Sequence, residues 1–427
     1  MLHQLGFEKE SRDCLSNATF KYIRTPTEPI SGPFDFYTLN LIVSATCNGF
    51  AVLLGAGLMT AHSLHFSKPL EQLECVSNHH YLSPSFCVSS GAGREKKMGR
   101  IGSEWLTREG KINRIMRICL LLPWYAILTM GAVYEYNAYP FVKPWIEVMQ
   151  GYALANLWIL ICRFLAPEGT TDRRDIFLAP FMALNRKRRI SLRRYRRHFF
   201  YVLQGPVVTV VIAVIANIVE VNSHFCILPQ RQERLIRMGL TGCTVVSMTL
   251  AMVTAIRHSA TLRPELWPHR ALFKMLSFKL LLGLYIILQV IYIFLDAFQI
   301  LKPSNLFTAG DLEVGIPMMA TSCELALFAL FYQYAYWVAP YRLPPVDKMP
   351  PVEGDADHAT PVTLDRSGMY QGGRFGGKAW RRMLNHREMW EACKFPFELR
   401  VGSQRDVPLV EFQRDVHRYD HRDAMPP

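Results

Sequence analysis

A carboxylate inside an apolar run is costly, so Glu324, in Cys323-Glu324-Leu325, is the first residue whose chemistry needs an explanation. Lys279 lies at a similar depth in another apolar run, entered from the opposite side. At a rise of ~1.5 Å per residue, the two fall within about 10 Å along a shared axis. A Glu324–Lys279 pair is therefore expected, either as an ion pair that fixes the bundle or as a polar element of a solute path. Gln289 and Asp296 lie on the same run as Lys279, seven residues apart and so on one helical stripe. A third run carries Glu147, Gln150, Tyr152 and Asn156, and Tyr152 and Asn156 face the same way. These side chains either hydrogen-bond between helices or line a polar cavity. Glu324, Lys279, Gln289, Asn156, Tyr152 and Gln150 form the candidate substrate path.

Other chemistries find little support. His62 and His65 stand at i, i+3, a spacing open to metal ligation on one helix face or to an interfacial role. A membrane di-iron site needs several such boxes, and the remaining histidines stand alone apart from His79-His80. The ten cysteines include no CxxC pair, so no metal is expected. There is no GxSxG elbow and no Gly-rich phosphate loop, so neither a cofactor nor an enzymatic reaction is expected.

The elements that must position these residues are seven apolar runs, read against the ~20 residues that cross the hydrocarbon. They are Thr38–His62, Ile115–Glu135, Trp145–Leu165, Phe199–Val221, Ile236–Ile256, Ala271–Gln299 and Gly315–Ala339. Each must be helical in lipid, because only a helix satisfies its own backbone there. The second is the weakest, interrupted by Pro123. With the N-terminus outside, the loops facing inward hold 21 Lys/Arg and those facing outward hold 8. That asymmetry predicts an outer N-terminus and a cytoplasmic C-terminus. Asn17-Ala18-Thr19 is a glycosylation sequon on the predicted outer face. The N-terminal segment 1–37 has charged residues and no apolar core, so the first span is expected to act as its own insertion signal.

Composition agrees with an all-α, polytopic membrane protein. Half of the 427 residues are apolar and only 19% are charged. The net charge is +13, of which the segment from Tyr341 onward carries +1 (14 Lys/Arg against 13 Asp/Glu). The basic surplus thus sits between apolar runs, as at cytoplasmic loops on anionic lipid, and no basic domain suggests a nucleic-acid partner. Eight of the fourteen residues from Asn185 to His198 are Lys or Arg, a topological anchor or a docking site for an acidic headgroup. Residues 75–111, rich in Ser, Gly and His without periodicity, read as a disordered insertion or a gene-model artefact. The tail 341–427 leaves the membrane domain 38–340 through Pro344-Pro345 and Pro350-Pro351 and is expected to be largely disordered. Within it, 378–394 sets Trp380, Met383, Leu384, Met389 and Trp390 among basic residues, the pattern of a helix lying on a membrane surface.

The segments His62-Ser-Leu-His65-Phe-Ser-Lys-Pro69, Arg114-Ile-Met-Arg117-Ile-Cys-Leu-Leu-Leu-Pro123-Trp-Tyr125-Ala126, Tyr152 with Asn156, Lys274-Met-Leu-Ser-Phe-Lys279 with Gln289, and Cys323-Glu324 with Phe328 together resemble the organic solute transporter alpha-subunit family of seven-span membrane proteins. The resemblance covers roughly 38–340 apart from the insertion. Departures are Gln150 where the family has a Glu, and Gly205 where a basic residue usually precedes the proline at Pro206. What the resemblance implies is facilitated movement of steroid-like or anionic lipophilic solutes in the plasma membrane or the vacuolar membrane. For some members it also implies a small single-span partner subunit. Self-association and membrane lipids are the other expected partners. The alternative is a seven-span receptor or trafficking scaffold without transport activity, although the receptor hallmarks in spans three and seven are absent.

Overall fold

A computed structural model describes residue 29 and residues 35–65, 110–167, 170, 172–188, 190–224, 230–297, 306–308, 310–339 and 376–399. The described residues are helical and contain no strand. Eight helices make the main body: α1 (Phe36–Ser63), α2 (Gly110–Tyr134), α3 (Tyr139–Leu165), α4 (Arg173–Arg188), α5 (Leu192–His224), α6 (Gln230–Thr261), α7 (Ala271–Ala297) and α8 (Ile316–Ala335). Two more, α9 (Gly377–Met383) and α10 (Arg387–Glu398), come from the tail.

Six of these helices are long and apolar enough to cross a membrane: α1, α2, α3, α5, α6 and α8. The seventh expected span, α7, forms a helix of 27 residues, with several side chains outside the described set. The outward faces explain why such helices need lipid. Leu53, Ile127, Val246, Ile287 and Leu327 are all more than half exposed, a surface that water does not favour. The core is centred on α2 and α3, the most enclosed of the six. Trp158 of α3 sits at its heart, edge-on to Phe199 of α5 and His258 of α6.

Contacts fix the direction of each helix. α1 and α8 run parallel: Asn40 lies against Gly315, Asn48 against Ser322 and His62 against Tyr336. α2 runs the other way beside them, with Tyr134 near Tyr37 and Pro123 near Gly55. The bundle therefore has an Asp311 end and a Glu388 end, and successive long helices alternate between them.

Proline and glycine set two close approaches. Pro123 does not end α2; its ring enters the notch left by Gly55 on α1, where an added Cβ would lie 2.9 Å from Pro123 Cδ. At Gly151 of α3 an added Cβ would lie 2.9 Å from Thr209 Oγ1 and 3.3 Å from the Pro206 backbone, so α3 and α5 cross at backbone distance. Small residues at such points are how helices gain packing in lipid, where the hydrophobic effect does not drive them together.

The structure adds detail to three of these segments. α2 begins at Gly110, so Gly110 and Lys111 belong to a helix and not to the irregular segment 75–111, the rest of which lies outside the described residues. The basic stretch before span four is largely helical: α4 occupies Arg173–Arg188, and α5 starts at Leu192 inside the basic run. The tail is also ordered in part. α9 and α10 bury Ala379, Met383, Met389, Ala392 and Phe395 against the bundle, so the 378–394 segment docks on protein. Its other face exposes Leu384, Trp390 and Phe397, so the membrane-surface pattern in the sequence belongs to that side only.

Candidate functional site

The interior carries polar groups at three levels. The first is a seam between α1 and α8. Asn40, Ser44 and Asn48 follow one another at i, i+4 and i+8 and are all buried. Asn40 Nδ2 donates to the Gly315 carbonyl at 3.1 Å, Ser44 Oγ donates to Asn40 Oδ1 at 2.9 Å, and Asn48 Nδ2 donates to Ser322 Oγ at 3.0 Å. At the Asp311 end, Tyr136 donates its hydroxyl to Asp311 at 2.9 Å, and Asp311 accepts from the Thr308 amide and hydroxyl. None of these residues is in the expected substrate path, although the i, i+4, i+8 spacing of polar residues on an apolar helix is a signal visible in the sequence.

The second level is Glu324. It lies near the middle of α8, half-buried, and neither carboxylate oxygen makes a hydrogen bond among the described residues. Tyr125, fully enclosed on α2, is in electrostatic reach of both Glu324 and Glu147 of α3. Gln150 is buried on α3, and its Nε2 makes no hydrogen bond among the described residues. The expected Glu324–Lys279 pair does not form. Lys279 is exposed, on the same outward side of α7 as Leu276 and Leu280, while the buried side carries Lys274, Phe278 and Leu281. Lys274 is the enclosed lysine of α7, donating to the His269 carbonyl at 2.8 Å and lying over the Phe164 ring. Neighbouring positions on a helix point about 100° apart, so Phe278 facing in carries Lys279 away from Glu324. The side chains of Gln289 and Asp296 lie outside the described residues, as does Asn17.

The third level joins two of the expected residues to the tail. Arg114, fully buried on α2, donates Nη1 to Asn156 Oδ1 at 2.6 Å and forms an ion pair with Glu388 of α10. Asn156 donates Nδ2 to the Tyr152 carbonyl one turn back on α3. The Tyr152 hydroxyl meets His386 Nδ1 at 3.4 Å, and the rings stand edge to face. Arg163, at the end of α3, grips the same Glu388 oxygen twice, through Nη2 at 2.7 Å and Nε at 3.1 Å. Arg117 caps the end of α9, donating to the carbonyls of Met383 at 2.7 Å, Arg382 at 3.2 Å and Asn385. Further out, Arg173 pairs with Glu391, and Arg196 donates to the Leu399 carbonyl at 3.0 Å.

Burial alone would push the Glu388 carboxyl up, but the guanidinium groups of Arg114 and Arg163 overcome that and hold it down at about 2. The His386 imidazole is also pushed below its ordinary value, first by burial and then by the cations Arg117 and Arg114. The expected partners Tyr152 and Asn156 are thus brought together, but beneath a lid of His386 and Glu388. His62 is fixed elsewhere: its Nε2 sits 2.9 Å from the Tyr336 carbonyl. Among the described residues no group of His, Cys, Asp and Glu side chains is placed to hold a metal ion.

The bundle of long apolar helices thus encloses a carboxylate and an arginine cluster that the tail covers. The family model for the organic solute transporter Ostalpha matches residues 104–341, more than half of the chain. The chain belongs to the organic solute transporter alpha family. It is an integral membrane protein of a family of solute transporters, which are not enzymes. The match takes in Arg114, Tyr152, Asn156, Lys279 and Glu324; α1 and its His62–Pro69 motif lie before its start. No curated protein and no solved structure matches the chain.

Proposed function

We propose that this Ostalpha-family protein is a seven-span facilitative transporter, or transporter subunit, for amphipathic organic solutes such as steroid-like or anionic lipophilic compounds. In this reading α7 is the remaining span, the Asp311 end is outside and the Glu388 end is cytoplasmic. The single observation that carries the reading is Glu324: a carboxylate midway along a membrane helix, with no hydrogen-bond partner among the described residues. A residue kept only to hold the bundle together would be paired, because a buried polar group left without a hydrogen bond costs about 1–3 kcal/mol. Glu324 lies within electrostatic reach of Tyr125, and in this reading a solute hydroxyl donates to it. The absence of the Lys279 pair favours a path over a structural bridge. The plasma membrane or the vacuolar membrane is its place of action, and a small single-span subunit is the partner that the family membership suggests.

Reconstitution tests the proposal. Purified protein in liposomes is given labelled sulfated steroid, and uptake is compared for wild type and Glu324→Ala at matched reconstitution. Saturable uptake that falls with the substitution supports the reading; equal uptake in both, or a loss explained by lower expression alone, contradicts it.

A further inference from the structure

Three guanidinium groups, Arg114, Arg117 and Arg163, gather where α2 and α3 meet the tail. Glu388 is the carboxylate that acts on Arg114, and it is supplied from a separate segment 225 residues beyond Arg163. Arg114 is fully buried, and its Nε makes no hydrogen bond among the described residues; Nη1 of Arg117 is likewise enclosed without one. The cluster therefore holds more positive charge and more donors than Glu388 satisfies. Burying cations is expensive unless anions accompany them. Paired guanidinium forks of this kind suit planar or tetrahedral oxyanions, which accept two parallel hydrogen bonds. On the protein side the cluster touches Asn156 and, through His386, Tyr152, both residues of the path.

We propose that Arg114 and Arg163 form the binding site for the anionic group of an amphipathic monoanion, and that Glu388 occupies this site as a tethered competitor which the ligand displaces. The inference rests on the transport reading for the source of the ligand, and the site itself stands on the geometry. The ligand class is a sulfate, carboxylate or phosphate carried on an apolar body. Its oxyanion takes both Glu388 contacts, and its body lies where Met389 and Phe395 pack in the docked state. Displacement frees α10, whose exposed Trp390 and Phe397 already suit it to the membrane surface. The tail is thus a plug on the Glu388 end, released by the solutes it guards against.

Cys393 reports the docked state: its thiol is half-buried on α10, against the Leu203 carbonyl at 4.0 Å. Full-length protein is placed in nanodiscs of neutral lipid, and maleimide labelling of Cys393 is followed by mass spectrometry. A sulfated steroid is expected to raise the labelling rate about tenfold, and the parent neutral steroid to leave it unchanged. Glu388→Gln is expected to raise the rate without ligand and to bind the sulfated steroid about tenfold more tightly. Adding Arg163→Gln to it is expected to abolish that gain. Equal labelling with and without the sulfated steroid, or an equal response to the neutral steroid, overturns the proposal. Nanodiscs of anionic phospholipid without steroid form the second arm. Release by that lipid alone, with no further effect of the steroid, overturns the solute assignment and makes the anion a lipid headgroup. Flux without any change at Cys393 sinks the plug and spares transport; release at Cys393 without flux does the reverse.

Discussion

Arg114 and Glu388, one buried on a membrane helix and one on a tail helix, form the contact that closes the bundle at one end. Asn156 holds the same guanidinium from the side at 2.6 Å, so its aim is set before the tail arrives. Replacing Arg114 leaves Glu388 with Arg163 alone. In a fixed core, breaking such a pair costs about 3–5 kcal/mol. Here the carboxylate can escape to water with its helix, so the loss should appear as tail release. Arg114→Gln is expected to raise the labelling of Cys393 several-fold while the melting temperature of the bundle changes little. Unchanged labelling would mean that Met389, Ala392 and Phe395 dock the tail without the ion pair.

The docking should depend on pH in two stages. His386 has its protonation disfavoured in the docked state, so docking strength is full above the ordinary histidine value of 6.5 and declines as pH falls below it. The groups facing it are Tyr152, Arg117 and Arg114, and a charged imidazole would add to their positive field. Glu388 is depressed from 4.5 to about 2, so its contribution is complete above the ordinary carboxylate range and is lost only as pH falls through that range toward 2. Labelling-independent distance measurement between the tail and α1 is expected to show weakening that starts below pH 6.5 and a second, larger loss below pH 4.5. In His386→Asn the first stage should vanish and the second remain.

The α3–α5 crossing should tolerate no larger side chain. Any Cβ at Gly151 meets Thr209 and the Pro206 backbone, and a backbone atom cannot turn aside as a flexible side chain can. Gly151→Val is expected to destabilise the bundle by about 1–3 kcal/mol, the usual cost of overpacking. Thermal unfolding in detergent checks it. Gly239 of α6 has nothing within 4 Å of an added Cβ, and its substitution by alanine is the neutral control.

Asn48 and Ser322 join α1 to α8 at the depth where water is scarce. Interhelical hydrogen bonds of this kind contribute roughly 0.6–2 kcal/mol. Asn48→Leu is expected to lower thermal stability by that amount, and Asn48→Leu with Ser322→Ala to cost less than the two changes summed, since they share one bond. Additive losses would show that the bond at 3.0 Å contributes nothing of its own.

The helices were legible because each long apolar run leaves the backbone one way to satisfy itself, and the runs are long enough to be seen without knowing their neighbours. Their order, and the position of Tyr152 and Asn156 on one face of α3, could be read in the same way. Glu324 was legible as a residue but not in its relations. Depth along two helices placed Lys279 beside it; the rotation of α7, set by Phe278 and Leu281 packing inward, turned Lys279 out and brought Lys274 in. That rotation is a property of the neighbours, which the run itself does not encode. The tail contact was harder still. Glu388 sits among Arg and Lys residues in a segment that reads as surface helix, and its real partners lie on α2 and α3, far away in sequence. Its one signal in the sequence is that Arg114 and Arg117 stand at i, i+3 at the mouth of an apolar run, where a pair of cations calls for an anion from elsewhere.

If Glu324 belongs to a solute path, flux through liposomes depends on it. Uptake of labelled sulfated steroid should be saturable in wild type and fall about tenfold or more in Glu324→Ala, a loss worth about 1.4 kcal/mol per factor of ten, with expression and melting temperature held. Uptake that is insensitive to Glu324, or a substitution that lowers folding and flux in equal measure, would make Glu324 a residue of the scaffold and not of a path.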